Sequence, residues 1–460
     1  MSKYHSTISR RDFLKMLGLG GVGLGAAAIS APVFRDLDEM MASPQAEFKR
    51  PSWVKEVDKP TVEIDWNMYG RWDYNESMWQ NGFYKAWGTT KADFLFKLSS
   101  ANTMKFVKEN TPGYTLRDCA MQNSSSVPMS VSFLGPQTSP TPESLGVPRW
   151  EGTPEENARM IRAYLRTIGS AQVGFVELDT DTTEKLFYSY DGDPWSMPVQ
   201  GKKITFADVD QPSETETEKI VPKKARLVII YTNRMPEWNV KRAPTSVGYM
   251  NVGYTQGHVM QYQLQNFLRT LGYMGLGESG HFHEFGCVTG LGVMAGLGET
   301  CRAMHLLTPE YGLKQRFFKL VTDLPLAPGK PIDFGAMQFC RTCKKCAEFC
   351  PPKAIPSDTE PSWENTVPYH TAGQRIWRRN EPACIAYMYE SVGWCSVCIA
   401  VCPLSKGNRQ AFYHDIMRST ISTTPVFNRF FRKMDDFLGY GMKRDSEDFW
   451  EMDLPPFGWE

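Results

Sequence analysis

The sequence lacks a surplus of either charge, since its 460 residues include 51 Lys and Arg against 51 Asp and Glu. A chain without a basic excess offers no broad electrostatic surface to nucleic acid or to an anionic membrane. The sequence also lacks a long apolar run, because no stretch beyond the N-terminus is hydrophobic enough to span a bilayer. Attachment to a membrane would therefore need a partner.

Cysteine is scarce over most of the chain, and eight of the 11 cysteines lie between residues 340 and 402. Such crowding in a chain of this length points to metal more often than to disulfides. The two runs are Cys340-x2-Cys343-x2-Cys346-x3-Cys350-Pro351 and Cys384-x10-Cys395-x2-Cys398-x3-Cys402-Pro403. The first run has the full bacterial ferredoxin spacing, and the second has a longer first gap, where a loop is inserted.

In the ferredoxin pattern the fourth cysteine of one run ligates the cluster of the other run. The spacing therefore predicts two [4Fe–4S] clusters with crossed ligation. One cluster would be held by Cys340, Cys343, Cys346 and Cys402, and the other by Cys384, Cys395, Cys398 and Cys350. Two structural zinc sites are the alternative, because they also use C-x2-C pairs. The remaining cysteines, Cys119, Cys287 and Cys301, are expected to be buried thiols.

The N-terminus carries the sequence Ser9-Arg-Arg-Asp-Phe-Leu-Lys15, followed by a weakly apolar, Gly/Ala-rich run to about Phe34. Paired arginines before such a run indicate a twin-arginine export signal. A chance arginine pair before a core helix is the alternative. We predict a signal peptide over residues 1–42, and this route exports proteins that have already folded around their cofactors.

Capping and periodicity predict several elements before residue 330. The capping box that starts at Thr153 predicts a helix that ends at about Thr167. Strands are predicted at 173–178 and 226–231, with the second one central. A long helix is predicted at 256–271, and residues 61–145 are predicted to form loops and short helices. Alternating helices and strands favour an α/β domain.

In combination, these features resemble the corrinoid-dependent reductive dehalogenases of organohalide-respiring bacteria. The resemblance is carried by the export signal, both cysteine runs and the segments Trp150–Asn157, Thr308–Gly312, Leu324–Asp333 and Gly439–Gly441. The fold it implies is α/β (α+β), with a nitroreductase-like corrinoid-binding core at 43–330. A ferredoxin-like segment with two [4Fe–4S] clusters would follow at 331–410, and a C-terminal extension at 411–460 would pack on the core.

The resemblance implies replacement of halogen by hydrogen on a chlorinated ethene, chlorinated ethane or chlorinated aromatic. The two clusters would reduce the cobalt of the corrinoid to Co(I), and a tyrosine assisted by a basic residue would donate the proton. Tyr254 matches the tyrosine position and Arg316 the basic position. A core tyrosine and a surface ion-pair partner are the ordinary alternatives for these two residues.

The resemblance also implies partners and a location. The partners are a small membrane-anchor protein, a respiratory electron donor and the twin-arginine export machinery. The chain would be attached peripherally to the outer face of the cytoplasmic membrane.

The glycine-rich stretch at 277–298 departs from the family pattern. Some members have an asparagine near it, whereas the segment Gly280-His-Phe-His-Glu284 has none. The candidate corrinoid contacts are Gly277, Gly280, His281, His283 and Gly290. Tight packing is an equal explanation for the glycines, and plain packing or a surface pair is the favoured alternative for the two histidines. The Asp-x-His-x-x-Gly motif of some cobalamin proteins is also incomplete, because position 281 is His. We therefore predict no protein ligand to cobalt and a base-off corrinoid.

Two other functions are alternatives. Epoxyqueuosine reductase, a cytoplasmic tRNA-modifying enzyme, also pairs a corrinoid with two clusters. The export signal and the missing basic surplus argue against it. An exported two-cluster electron carrier is the second alternative, and the large aromatic-rich region before residue 330 argues against that role.

Overall fold

The computed structural model describes residues 50–78, 82–125, 131–192, 201–245, 249–279, 285–391, 395–406, 412–439 and 446–459. The α-helices in these ranges are α1 (Gly82–Lys108), α2 (Leu116–Ser124), α3 (Pro154–Thr167), α4 (Glu237–Val240), α5 (Tyr249–Leu271), α6 (Val288–Met294), α7 (Ala336–Cys343), α8 (Lys345–Phe349), α9 (Glu381–Ser391), α10 (Val397–Val401), α11 (Phe412–Ile421) and α12 (Asn428–Phe437). Short 3₁₀ turns connect several of them.

The strands are β1 (Lys55–Glu56), β2 (Val173–Glu177), β3 (Lys203–Ala207), β4 (Ser213–Glu214), β5 (Glu218–Pro222), β6 (Leu227–Arg234), β7 (Glu299–Thr300), β8 (Leu306–Leu307), β9 (Gln315–Thr322) and β10 (Ile332–Asp333). They form sheets in the orders β2-β6-β9, β3-β5-β4, β1-β10 and β7-β8. Helices and sheets are thus mixed, as the fold class predicted. Among the described strands, β3 and β5 form a parallel pair, whereas the β2-β6-β9 sheet is antiparallel.

The antiparallel sheet forms the middle of the first domain. Its central strand β6 is buried from Val228 to Asn233, which explains the nearly continuous apolar sequence of this strand. The predicted central strand is therefore confirmed. The register pairs Asn233 of β6 with Arg316 of β9, so Arg316 lies near one end of the sheet. Next to β9, Leu276 forms a single β-bridge with Val321.

The capping box predicted for α3 is present. Thr153 Oγ1 accepts a hydrogen bond from Glu156 N at 3.2 Å, and Thr153 N donates to Glu156 Oε2 at 2.8 Å. The adjacent Asn157 is fully buried, accepts from Trp150 Nε1 and donates to Pro325 O at 3.0 Å. The Asn157 amide therefore joins residues 150–157 to residues 324–333, two of the segments that carry the family resemblance.

Helix α5 covers one face of the antiparallel sheet. It ends at Leu271 before Gly272, as predicted, but begins at Tyr249 rather than near residue 256. Met260, Leu264 and Leu268 share a buried cluster with Phe318 of β9. A Cβ at Gly257 would lie 1.9 Å from the Phe318 ring, so this glycine permits the close approach of helix and sheet.

The region 61–145 differs from the prediction of loops and short helices, because α1 covers 27 residues with a kink at Gly88. Its sequence has weak helical periodicity because the helix is poorly buried. Ala92 and Leu95 are buried, whereas Phe94 and Met104 are each 60% exposed.

The two cysteine runs fold into matching halves. Lys344 and Ser396 both adopt the left-handed backbone conformation, with φ of 54° and 55°, and each precedes a five-residue helix. Helix α8 is followed by Cys350 and helix α10 by Cys402, both with extended backbone that leads into proline. The last three cysteines of each run therefore lie on the same local backbone arrangement.

A turn in the first domain docks on the second run. Gly312, with φ of +62°, lies so near the chain that an added Cβ would be 2.4 Å from Ser405 Cα. Leu313 N donates to Ser405 Oγ at 2.9 Å. The family-like segment Thr308–Gly312 thus fixes the first domain against the cysteine-bearing segment.

The C-terminal helices pack mainly on the cysteine-bearing segment. Tyr413, Met417 and Phe431 share a buried cluster with Phe339 of α7, and Met235 of the first domain also belongs to it. Residues 446–459 reach the first domain, where Trp450 Nε1 donates to Asp118 at 3.2 Å. Among the described residues, no helix is long and apolar enough to cross a bilayer. The domain boundaries at residues 330 and 410 stay predictions, and residues 1–42 lie outside the described ranges.

Candidate active site

Tyr254 and Arg316 meet at the end of the antiparallel sheet. The guanidinium carbon of Arg316 lies 5.1 Å from the centroid of the Tyr254 ring. The neighbouring Gly253 allows this approach, because an added Cβ would lie 2.8 Å from Arg316 Cγ. Asn233 Nδ2 donates to Gly253 O at 2.6 Å and holds the first turns of α5 to the sheet. The structure thus brings together two residues far apart in sequence.

This pair lies on a cavity of about 420 Å³, a size typical of small-molecule sites. The wall that belongs to the first domain includes Tyr74, Phe83, Tyr188, Tyr254, Cys287, His305, Leu306, Leu313, Gln315, Arg316 and Phe317. The opposite wall includes Cys350, Arg379, Glu381, Cys384, Tyr387, Met388, Cys395 and Cys398. The predicted catalytic pair and all four cysteines of one predicted cluster therefore face the same space.

The eight cysteines of the two runs divide into two groups of neighbours. The first cysteine set consists of Cys340, Cys343, Cys346 and Cys402, and the cavity cysteine set of Cys350, Cys384, Cys395 and Cys398. Burial, and then Cys340, Cys301, Cys343 and Cys402, raise the pKa of the Cys346 thiol. Burial also raises the pKa of Cys398 to about 12, opposed by Arg379 and reinforced by Cys395, Cys384 and Cys350. The neighbours within each set are those required by crossed ligation.

A thiol with a raised pKa stays protonated at neutral pH unless a metal replaces the proton. Among the described residues, no three His, Cys, Asp or Glu side chains are arranged around a single metal ion. A [4Fe–4S] cluster binds each thiolate through a different iron atom, so its four ligands surround an object larger than a single metal ion. The donor chemistry of both sets fits such clusters, and the eight ligand assignments stay predictions.

Polar groups on the cavity wall also fit an amide-bearing cofactor. Gln315 is 2% exposed, and within the described structure neither its amide nitrogen nor its amide oxygen has a hydrogen-bond partner. Nε of Arg316 is also buried and has no hydrogen-bond partner within the described structure. Buried polar groups are normally paired. Corrinoids carry carboxamide side chains, which both donate and accept hydrogen bonds, so Gln315 and Arg316 would hold such a group.

His305, Arg379 and Glu381 form a polar group between the catalytic pair and the cavity cysteine set. Arg379 Nη2 donates to Glu381 Oε1 at 2.7 Å, and Arg379 Nη1 donates to His305 Nε2 at 3.3 Å. Burial, followed by Arg379 and Arg316, lowers the pKa of His305 to about 3, so its imidazole is neutral. Burial alone would raise the pKa of Glu381, but Arg379 and His370 lower it to about 2.

The predicted corrinoid contacts Gly277 and Gly290 do not line the large cavity. Gly277 packs on Gln261, where an added Cβ would lie 2.4 Å from Nε2, and does not line the large cavity. Gly290 packs on Leu186 and lines a separate cavity of about 110 Å³. Gly280, His281 and His283 lie outside the described residues.

The three remaining thiols differ from one another. Cys301 is buried, as predicted, and lies beside the first cysteine set. Cys119 and Cys287 are only partly buried, so that prediction was wrong for them. The positions of Gln315, His305 and Arg379 on the cavity wall were not predictable from the sequence, because no local motif marks them.

A mixed helix–sheet domain whose cavity is bounded by one of two four-cysteine sets defines the class of an iron–sulfur oxidoreductase. Residues 49–130 and 127–326 match the family model described as "Reductive dehalogenase subunit". Residues 339–405 match the model described as "4Fe-4S double cluster binding domain". The chain belongs to the reductive dehalogenase family.

Two curated relatives are described as reductive dehalogenases. The chain is 28% identical over 529 residues to the chloroethene reductive dehalogenase of Dehalococcoides mccartyi (strain VS), covering 100% of this chain and 99% of the relative. It is 32% identical over 311 residues to the tetrachloroethene reductive dehalogenase of Sulfurospirillum multivorans, covering 66% of this chain and 61% of the relative. An epoxyqueuosine reductase of Lactococcus garvieae matches over 131 residues, or 28% of this chain.

A solved structure shares the fold. It is the catabolic reductive dehalogenase NpRdhA in complex with 3-bromo-4-hydroxybenzoic acid, with a TM-score of 0.60 and 19% identity. The alignment covers 87% of this chain and 51% of that chain, so the present chain spans about half its length. Another structure of this group is described as suggesting a mechanism for B12-dependent dehalogenation.

Proposed function

We propose that this chain reductively dehalogenates a chlorinated ethene, with a corrinoid in the large cavity and two [4Fe–4S] clusters as its electron supply. The observation that carries the proposal is the single cavity bounded by Tyr254 and Arg316 on one side and the cavity cysteine set on the other. Relatives that align over almost the whole chain are described as acting on chloroethene and trichloroethene, and these names favour chlorinated ethenes over aromatics.

When bound, the corrinoid supplies a low-valent cobalt at which a carbon–halogen bond is cleaved. The reaction takes up two electrons and one proton and releases a halide ion. Leu306, Leu313 and Phe317 give the cavity an apolar wall that suits a chlorinated hydrocarbon. Gln315 and Arg316 present polar atoms that would bind carboxamide groups of the cofactor.

Tyr254 supplies the proton through its hydroxyl. A tyrosine ordinarily keeps its proton up to a pKa of about 10, so donation needs help from its surroundings. The Arg316 guanidinium over the ring stabilises the phenolate that remains after donation. The neutral His305 and the paired Arg379 separate this proton donor from the thiols that bind the cluster.

The test is the Tyr254→Phe variant, which removes the donated proton and keeps the ring that packs against Phe318. We expect unchanged iron and corrinoid content but dehalogenation of trichloroethene slower by about 10²–10⁴-fold, the usual contribution of a general acid. Tyr262→Phe is the matched control, because Tyr262 lies on the same helix and is 40% exposed. Full activity of Tyr254→Phe would reject the assignment. Turnover of chlorinated aromatics but not of chloroethenes would reject the substrate.

The location and partners are a separate proposal. Supported by the segment Ser9–Lys15, we propose twin-arginine export to the outer face of the cytoplasmic membrane. The chain would be attached there by a small anchor protein and would receive electrons from a respiratory donor. Replacing both arginines, Arg10→Lys and Arg11→Lys, is expected to leave the full-length chain inside protease-treated spheroplasts, whereas the unaltered chain should be digested. Equal protection of both chains would contradict export by this route.

A further inference from the structure

The two cysteine sets lie in unequal electrostatic surroundings, and the first set has the more cationic ones. Arg302 is fully buried behind it, and its Nε and Nη2 donate to Cys340 O at 3.1 and 2.8 Å. Its Nη1 donates to Pro356 O at 2.8 Å and to Asp358 O at 2.7 Å. The guanidinium is thus fixed by backbone carbonyls rather than by a carboxylate, and its charge acts on the thiols.

Further cations surround the same set. Arg432, 9% exposed, donates from Nε to Cys343 O at 2.9 Å. Lys406, 3% exposed, donates to Ala400 O at 3.1 Å and lies near Cys402. Lys345 and Arg418 are also buried in this region.

The compensating negative charge near the first set is smaller. Asp435 is fully buried and accepts hydrogen bonds from Lys345 and His414. The carboxylates paired with Arg432 are those of Glu348 and Asp436, whose side chains are 54% and 42% exposed. Water screens such exposed charges more strongly than the buried cations. Asp358 near Arg302 and Asp415, which pairs with Arg418, are exposed as well. Within the described structure, the buried charges around the first set are therefore mostly positive.

The cavity set lies beside a neutral ion pair. Arg379 is its neighbouring cation, and this guanidinium pairs with Glu381 at 2.7 Å. The segment before Cys395 that lies outside the described residues is Val392-Gly-Trp394, which carries no charge. Among the described residues, positive and negative charges near the cavity set therefore nearly cancel.

One hydrogen bond to a cluster sulfur acts in the opposite direction to these charges. In the cavity set, Ala354 N donates to Cys350 Sγ at 3.3 Å. The difference between the two sets therefore rests on their buried charges.

Buried positive charge near a cluster stabilises its reduced state, which carries one more negative charge than the oxidised state. We infer that the cluster held by the first set has the higher reduction potential, and that the cluster facing the cavity is the stronger reductant. One electron then passes from the first cluster, oxidised from [4Fe–4S]¹⁺ to [4Fe–4S]²⁺, to the second, which is reduced by the reverse change. An external low-potential one-electron donor replaces the electron.

The inference rests on the proposed cofactor assignment. Its consequence is that the first cluster stores an electron, while the site that needs the strongest reductant is supplied by the more reducing cluster. Transfer from the first cluster to the second is then energetically uphill. This electron transfer still proceeds, because dehalogenation consumes electrons irreversibly at the cavity.

The experiment is an anaerobic redox titration of the full chain loaded with both clusters and corrinoid, followed by electron paramagnetic resonance. The loaded chain is used because the cofactor displaces water from the cavity. We expect two cluster signals whose midpoints differ by at least 59 mV, a tenfold ratio for one electron. Arg432→Gln should lower the upper midpoint, and Arg379→Gln should lower the lower one.

Coincident midpoints, or a lower midpoint that moves in Arg432→Gln while the upper one stays, would overturn the inference. Iron content is measured first. A loaded chain with fewer than about eight iron atoms would overturn the cofactor assignment itself, whereas a full iron content with reversed midpoints would overturn only the order of potentials.

Discussion

Gln315→Leu is expected to affect the cofactor-free and cofactor-loaded chains in opposite directions. In the described structure both polar atoms of the Gln315 amide are buried and unpaired, and leaving a buried polar group unpaired costs about 1–3 kcal/mol. Leucine has a similar size and no polar atom. The cofactor-free variant should therefore be more stable than the unaltered chain by an amount of this order.

The loaded chain should lose affinity instead. If the amide donates one hydrogen bond to the corrinoid and accepts one, the two bonds contribute about 0.5–1.5 kcal/mol each. Their loss, about 1–3 kcal/mol, corresponds to about 5–150-fold weaker binding. The assays are thermal unfolding of the cofactor-free chain and a visible-absorbance titration with the corrinoid under anaerobic conditions.

Gln261→Leu is the matched control. Gln261 is equally buried, but its Nε2 donates to Glu278 O at 2.7 Å and its Oε1 accepts from Glu278 N at 3.3 Å. This variant should destabilise the cofactor-free chain and leave corrinoid affinity unchanged. A Gln315→Leu variant that destabilises the cofactor-free chain as Gln261→Leu does, or that binds corrinoid with unaltered affinity, would contradict a role for Gln315 in holding the cofactor.

Further predictions concern the proton donor, the clusters, pH and helix capping. A cation near a tyrosine changes its pKa by about one to three units, so Arg316→Gln should lower kcat by about tenfold or more and Arg316→Lys by less; equal rates would contradict the role of the charge. Cys350→Ala should remove the cluster of the cavity set and keep that of the first set, as measured by iron content and paramagnetic resonance; loss of the other cluster would contradict crossed ligation. The pKa of Glu381, about 2, lies below its ordinary 4.5, so its pair with Arg379 stabilises the fold above pH 4.5, and this contribution is lost as pH falls towards 2; Glu381→Gln should flatten that part of an unfolding curve. Thr153→Ala should cost about 1 kcal/mol in unfolding free energy without changing the activity per folded molecule.

The parts of the fold that follow local rules were predictable. The capping box at Thr153 determines the start of α3 because both of its hydrogen bonds lie within four residues. The apolar run of β6 predicted a central strand because both faces of that strand are buried. Helix α1 was missed because its exposed Phe94 and Met104 disturb the periodicity that marks a buried face.

The candidate site was predictable only in part. The cysteine sets follow from spacing, because each run folds locally around a five-residue helix. Tyr254 and Arg316 came from the family resemblance, since nothing in the intervening sequence indicates that α5 and β9 meet. Gln315 and Arg379 lie on different elements, and their common position depends on how the two domains close around the cavity. Such a position is a property of the tertiary structure.

The contact at Gly312 has a consequence for the rate of electron flow. Electron tunnelling slows steeply with distance, so an enzyme whose redox centres move relative to each other must wait for close approaches. Here the backbone at Gly312 touches the chain at Ser405, with no room for a side chain between them, and β9 begins three residues further on. The strand that carries Arg316 and the segment that follows Cys402 are therefore held at one separation. The distance that electrons cross between the two parts should therefore stay constant. The rate of electron supply to the cavity should then depend on driving force rather than on domain motion.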